Sequence, residues 1–259
     1  MENRQSIQRA IDNGYSFPIG NYFSRGWEIF KRNPGAYIGY TLIFILVSIV
    51  INMIPLLGML IALIVNPALM VGTAIAAYKQ EKHNDTEFGN FFKGFDHLAQ
   101  LIVANIIITL IYFVVAIPLI FVLGFSFITA LATGDTDSIL NSSTQIASMG
   151  LWFLIFFILF LYMAISLRWT NYLIVFHQYD AVSAIKTSWK LTNKKWFYHL
   201  GFSLLSGLVA MLGLLALLIG IIFAIPILMA ADYAGYADVT GLENNDDIID
   251  QIGGEKDLV

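Results

Sequence analysis

The sequence predicts an all-α integral membrane protein with six transmembrane helices in three hairpins. Each hairpin is preceded by an amphipathic interfacial helix, and both termini are cytoplasmic. Three observations predict this. Charged residues make up only 12% of the 259 positions and hydrophobic residues 58%, whereas a soluble domain carries about 25% charge. The apolar residues fall in runs of roughly 20 or more, the length that crosses a hydrocarbon core of about 30 Å. The bases gather in alternate connections only, which sets an orientation.

Residues 1–20 are polar, contain Asn13-Gly14 and Pro18, and read as a mobile cytoplasmic arm. The membrane domain is expected over residues 21–237. From Asn21 to Asn33, Phe23, Trp27 and Phe30 recur at helical spacing, while Arg25, Glu28, Lys31 and Arg32 lie mostly elsewhere around the helix. That pattern describes a helix in the interface, aromatic side down. The first span is expected at about 35–54, started by Asn33-Pro34, and the second at about 57–78 after a reversal at Pro55 to Gly58. Pro67 inside the second span removes one backbone hydrogen bond and predicts a kink, serving either helix packing or a cavity lining.

Phe88, Phe91, Phe92 and Phe95 form the aromatic face of a second amphipathic segment. A third span at about 97–125 carries Pro118, and a fourth covers about 149–176, long enough to require tilt. Asp180 to Lys195 is the third amphipathic segment, with Trp189 on its apolar face and Lys186 and Lys190 beside it. The run from Trp196 to Val239 is too long for one helix and divides into spans at about 196–213 and 217–237, the last carrying Pro226. Residues 238–259 hold seven acids and one base and read as an acidic, flexible cytoplasmic tail. Trp27, Phe92, Trp189 and Trp196 are the expected interfacial anchors, and Pro67, Pro118 and Pro226 the expected kinks.

Of the 14 lysines and arginines, five precede the first span, three lie in 79–96, four in 177–195 and one in the tail. The opposite connections carry none. The positive-inside rule then places both termini in the cytoplasm. Arg168 is the one base left over, and it falls inside the fourth span.

An arginine at mid-bilayer costs about 2.5–3.5 kcal/mol on insertion scales and seeks a partner, a wet cavity or the headgroups. Asp232, near the cytoplasmic end of the last span, is the expected partner, with Asn171 assisting. The alternative is an arginine reaching lipid phosphate while Asp232 faces water. Asn66 and Asn105 complete the candidate intramembrane polar site, since an amide in lipid needs a hydrogen-bond partner. His83, His97, His177 and His199 fall in or near connections and are expected to be solvated there. No catalytic residue, metal site or cofactor is expected. Gly-rich phosphate loops, His-Glu-x-x-His and Gly-x-Ser-x-Gly are all missing from the sequence.

The hairpins repeat. When Trp27 is set on Trp189, Gly39-Tyr40 falls on Gly201-Phe202 and Leu42 on Leu204; a small gap sets Pro67 and Met70 on Pro226 and Met229. Such copies are related by an axis along the membrane normal. Arg168, then Ala184, Ser188 and Leu191, the Gly201 span and the closing Pro226…Ala231-Asp232-Tyr233 region carry a resemblance. They resemble YciC-like bacterial inner-membrane proteins and the membrane domain fused to some glycerophosphodiester phosphodiesterases. The resemblance covers about the last 100 residues and, by architecture, the first half. It implies a six-helix protein of the bacterial inner (cytoplasmic) membrane; no phosphodiesterase chemistry comes with it, because the sequence holds no such barrel.

Two functions follow as expectations. The first is a membrane scaffold or homeostasis component working at the lipid interface, with anionic headgroups at the cytoplasmic face and a protein partner for the acidic tail. The second is a carrier of lipids or small molecules with an internal site near Arg168 and Asp232. An intramembrane enzyme is not expected, nor is a nucleic-acid partner, because the bases hug the span ends where anionic lipid explains them.

Overall fold

Local signals set the helix boundaries. The Asn33 side chain accepts a hydrogen bond from the Ala36 amide at 3.3 Å and Pro34 opens the helix that follows. Asp180 caps another in the same way, accepting from the Ser183 amide at 3.0 Å, as cap chemistry requires. The computed structural model describes residues 2–55, 57–133, 143–215 and 219–242. In chain order the helices are α1 (Glu2–Asn13), α2 (Ile19–Arg32), α3 (Pro34–Asn52), α4 (Leu57–His83), a 3-10 segment (Phe88–His97), α5 (Leu98–Thr133), α6 (Ser143–Ser166), α7 (Thr170–His177), α8 (Ala181–Asn193), α9 (Trp196–Leu215) and α10 (Ile219–Thr240). There is no strand among the described residues. Six stretches are long and apolar enough to cross a membrane: α3, α4, the 3-10 segment with α5, α6 with α7, α9 and α10. This is the composition of a multi-pass membrane protein.

The chain divides into two compact units, one formed by Met1–Asn105 with Ser166–Val259 and the other by Ile106–Ile165. In the second, α5 and α6 stack Tyr112 on Phe160 with ring centroids 5.2 Å apart. Phe113, Val114, Phe121 and Phe153 turn outward, as lipid-facing side chains do.

The larger unit is held by small residues. From Pro67 onward α4 buries Ala68, Ala74, Ala76 and Ala77, and the second half of α10 buries Ala230, Ala231, Ala234 and Ala237. Lipid tails are as apolar as leucine, so helices in a bilayer associate by close van der Waals contact, and small residues permit it. Gly26 of α2 shows how close. A methyl added there would lie 2.7 Å from the Ala231 nitrogen and the Ile227 oxygen of α10. Between α4 and the 3-10 segment the contact is reciprocal. A methyl at Gly72 would overlap the Phe91 carbonyl oxygen, and one at Gly94 would overlap the Ala68 carbonyl oxygen. Two backbones meet there with nothing between them.

Several expectations change. Residues 1–20 contain α1 rather than an arm without structure. Its Ile7 and Ala10 are buried, Phe17 in the following connection is too, and the Ser6 hydroxyl donates to the Thr240 carbonyl at 2.6 Å. The polar composition hid three well-spaced apolar side chains. The second amphipathic segment is a 3-10 helix, and its docking on α4 turns Phe91 inward between Tyr37 and Tyr40. The fourth span is broken, α6 ending at Ser166 and α7 starting at Thr170. Asp238 belongs to α10, not to the tail, and accepts a hydrogen bond from the Tyr22 hydroxyl at 2.6 Å. Val239 to Leu242 are described as well, and 243–259 lie outside the described residues.

Gly72→Ala and Gly94→Ala should each destabilise the protein by about 3 kcal/mol, the upper end for overpacking, because a carbonyl cannot move aside without moving its helix. Gly89→Ala, whose methyl meets nothing within 4 Å, should leave thermal unfolding in detergent unchanged.

Candidate functional site

The break in the fourth span is where the polar residues converge. At its end the Thr170 amide donates to the Leu167 carbonyl at 3.1 Å, one residue short of the helical partner. The Ser166 carbonyl is thereby released, and a free carbonyl in an apolar setting is costly. Helix α8 satisfies it. The Ser188 hydroxyl donates to it at 3.0 Å, and the Thr192 hydroxyl lies 2.9 Å away. Ser188 and Thr192 are one turn apart, so both reach the same oxygen.

Arg168 and Trp169 sit in this break. One terminal guanidinium nitrogen of Arg168 donates to Asp232 Oδ1 at 2.5 Å and the other to Ser203 Oγ at 3.2 Å. The guanidinium also lies 4.8 Å from the ring centroid of Phe202, a cation–π contact. The Trp169 indole donates to the same Asp232 oxygen at 3.2 Å. The expected approach of Arg168 and Asp232 is therefore present. Arg168 Nε is buried with no partner among the described residues.

The other candidates lie apart from this pair. Asn171 does not assist it; its side-chain oxygen accepts instead from the Asn105 amide at 3.0 Å, which also donates to the Leu101 carbonyl at 2.8 Å. Asn66 is half-buried and its side-chain oxygen has no partner among the described residues. Pro67, Pro118 and Pro226 each lie inside a continuous helix. Of the expected anchors, Trp27 and Trp189 are exposed, while Phe92 and Trp196 are half-buried.

The sequence misplaces two histidines. His177 and His199 are buried rather than solvated. His177 Nδ1 lies 2.6 Å from the Tyr236 hydroxyl, and His199 Nε2 lies 2.8 Å from the Tyr15 hydroxyl. The Tyr15 hydroxyl also donates to the Leu191 carbonyl at 2.9 Å. Both Tyr15 bonds form together only if His199 carries its proton on Nε2 and gives it to the Tyr15 oxygen, since the hydroxyl has one hydrogen. Burial pushes the Tyr15 pKa up, against a downward pull from Arg168, so the hydroxyl remains a neutral donor. Around these groups Trp169 packs edge-on against His199 at 4.6 Å and Tyr236 at 5.6 Å. Phe17 closes over the His199 ring at 4.3 Å. No signal in the sequence marks Tyr15 or Phe17; the Ser188–Thr192 spacing was readable, but it acquires meaning only once the break is seen.

Among the described residues no cluster of three or more His, Asp or Glu could hold a metal ion. No family model, curated protein or solved structure matches the chain.

Arg168→Ala should cost about 3 kcal/mol, because it leaves a partly buried carboxylate without its countercharge, and Asp232→Ala should cost a similar amount. The double mutant should lose at least about 1 kcal/mol less than the sum of the two. Thermal unfolding of the four proteins in one detergent measures this; additive losses would mean that the two charges act separately.

Proposed function

We propose that the chain is a scaffold or homeostasis component of the bacterial inner membrane that works at the cytoplasmic lipid interface. In this reading its six spans form three hairpins, each led by an amphipathic helix, with both termini in the cytoplasm. The observation that carries it is the set of contacts made by the polar groups at the break in the fourth span. The charge of Arg168 is met by Asp232, Ser203 and Phe202, and the released carbonyl of the broken span is met by α8. With these groups already engaged within the protein, we read the break as serving cohesion. The bases meanwhile remain on the connections, with Lys31, Lys93, Lys186 and Lys190 all in the segments read as interfacial helices, where anionic headgroups attract them. The resemblance to YciC-like proteins supports the same location, and the repeat of Trp27, Gly39 and Pro67 in Trp189, Gly201 and Pro226 supports the hairpin plan. We assign no enzymatic activity, no cofactor and no nucleic-acid partner, and reserve the acidic segment 243–259 for a protein partner.

One observation favours a second reading, a carrier. Discontinuous membrane helices frequently hold substrate or ion sites, and α6–α7 is discontinuous at Arg168.

The chain has no cysteine, so single cysteines report position cleanly. In intact spheroplasts a membrane-impermeant maleimide should label Ser138→Cys and spare Thr86→Cys until the membrane is opened; the reverse pattern would invert the orientation. Native mass spectrometry after gentle extraction tests function. A stoichiometric protein partner lost on removal of residues 243–259 supports the scaffold. A selectively retained metabolite lost in Arg168→Ala would replace the scaffold with the carrier.

A further inference from the structure

Where the 3-10 segment runs into α5, facing the turn between α7 and α8, there is a cavity of about 350 Å³. Its walls include Asp96, Gln100, Ile174, Gln178, Tyr179 and Asp180, with His97 beside them. The volume falls at the lower end of ligand pockets, about 300–1,000 Å³. Two features build it. Gln178 holds a left-handed backbone with φ of 50°, uncommon for a residue other than glycine, and this reverses the chain between α7 and α8. The Gln100 side-chain oxygen then accepts from the Ala181 amide at 3.2 Å, tying the start of α8 to the start of α5.

The chemistry of the walls is ordered. Two carboxylates, Asp96 and Asp180, line the cavity. The Asp180 hydrogen bonds with Ser183 hold its carboxyl below the usual carboxylate range. Two bases contact residues of these walls. The Arg4 guanidinium lies 4.8 Å from the Tyr179 ring centroid, and Lys93 Nζ lies 3.9 Å from Asp96. Ile174 supplies an apolar wall. One membrane-crossing stretch closes at His177, one residue before Gln178 of the cavity wall.

We propose that this cavity takes a phosphoethanolamine group, its primary ammonium on Asp96 and Asp180 and its phosphate toward Arg4 and Lys93. A primary ammonium carries three N–H donors, which carboxylates and amide oxygens accept. A quaternary ammonium would need open aromatic faces, and Arg4 already covers Tyr179. A bare divalent cation lacks its ligands here, because Asp96, His97 and Asp180 do not come together as a metal cluster, and no such cluster exists among the described residues. The phosphoethanolamine belongs either to a membrane lipid or to a soluble molecule; the chemistry is shared. The site does not rest on the scaffold reading and stands or falls apart from it.

The test uses the full chain in detergent and reads thermal unfolding. Short-chain phosphatidylethanolamine should raise Tm saturably, and short-chain phosphatidylcholine should not. Asp96→Asn and Asp180→Asn should each raise the half-saturating concentration at least tenfold. Asparagine is as good a cap as aspartate, so α8 keeps its start. If either variant unfolds early without lipid, Gln178→Ala, at an exposed position, takes its place and should weaken the response several-fold. Free phosphoethanolamine acting as well as the lipid would support the site and make its ligand soluble; a response to the lipid alone would support it and make the ligand a membrane component. No response to either, an equal response to phosphatidylcholine, or a response undiminished in the variants would overturn the proposal.

Discussion

An arginine and an aspartate that meet inside an apolar unit constrain what surrounds them. The Arg168–Asp232 pair links the break in the fourth span to the last helix, and Ser203 of α9 takes the second guanidinium nitrogen. Three helical segments are thereby held at one depth. A pair of this kind adds little net stability over a well-packed apolar contact, yet losing either half is expensive. Its effect is to penalise every arrangement in which α9, α10 and the break do not come together.

Glycine and alanine do the complementary work. The ion pair fixes which segments meet, and Gly26, Gly72 and Gly94 let backbones meet without intervening side chains. Close packing of this type puts carbonyls near neighbouring helices, and hydroxyl and amide side chains use them. Tyr40 donates to the Leu69 carbonyl at 2.6 Å and Gln80 to the Ile29 carbonyl at 2.8 Å. The same unit closes the Arg25–Glu81 pair at 2.6 Å. Polar side chains that a sequence reading assigns to the water interface are drawn into bonds between elements.

The spans were legible because hydropathy and length are properties of contiguous residues. The Arg168–Asp232 pairing was legible for a different reason: an isolated charge in an apolar run has few candidate partners. The rest depends on long-range packing. Nothing local to Ser166 announces that its carbonyl will be released, since the sequence through Leu167, Arg168 and Trp169 has no proline or glycine to stop a helix. The stop comes from partners supplied by α8, α9 and α10. His177 and His199 were misread because both sit beside polar connections, and their burial comes from tyrosines at positions 236 and 15. Residues 1–20 look unstructured by composition, and only the docking of Ile7 and Phe17 reveals otherwise.

That docking has a bearing on how the protein is made. The Ser6 hydroxyl is bonded to the carbonyl of Thr240, a separation of 234 residues, and Tyr22 to Asp238 across 216. The partners of α1 and α2 are therefore synthesised more than 200 residues after them. While the spans enter the bilayer one after another, Ile7, Phe17 and Tyr22 have no finished surface to cover until α10 is made. A chain arrested before α10 would leave Ile7, Phe17 and Tyr22 without the surface that buries them.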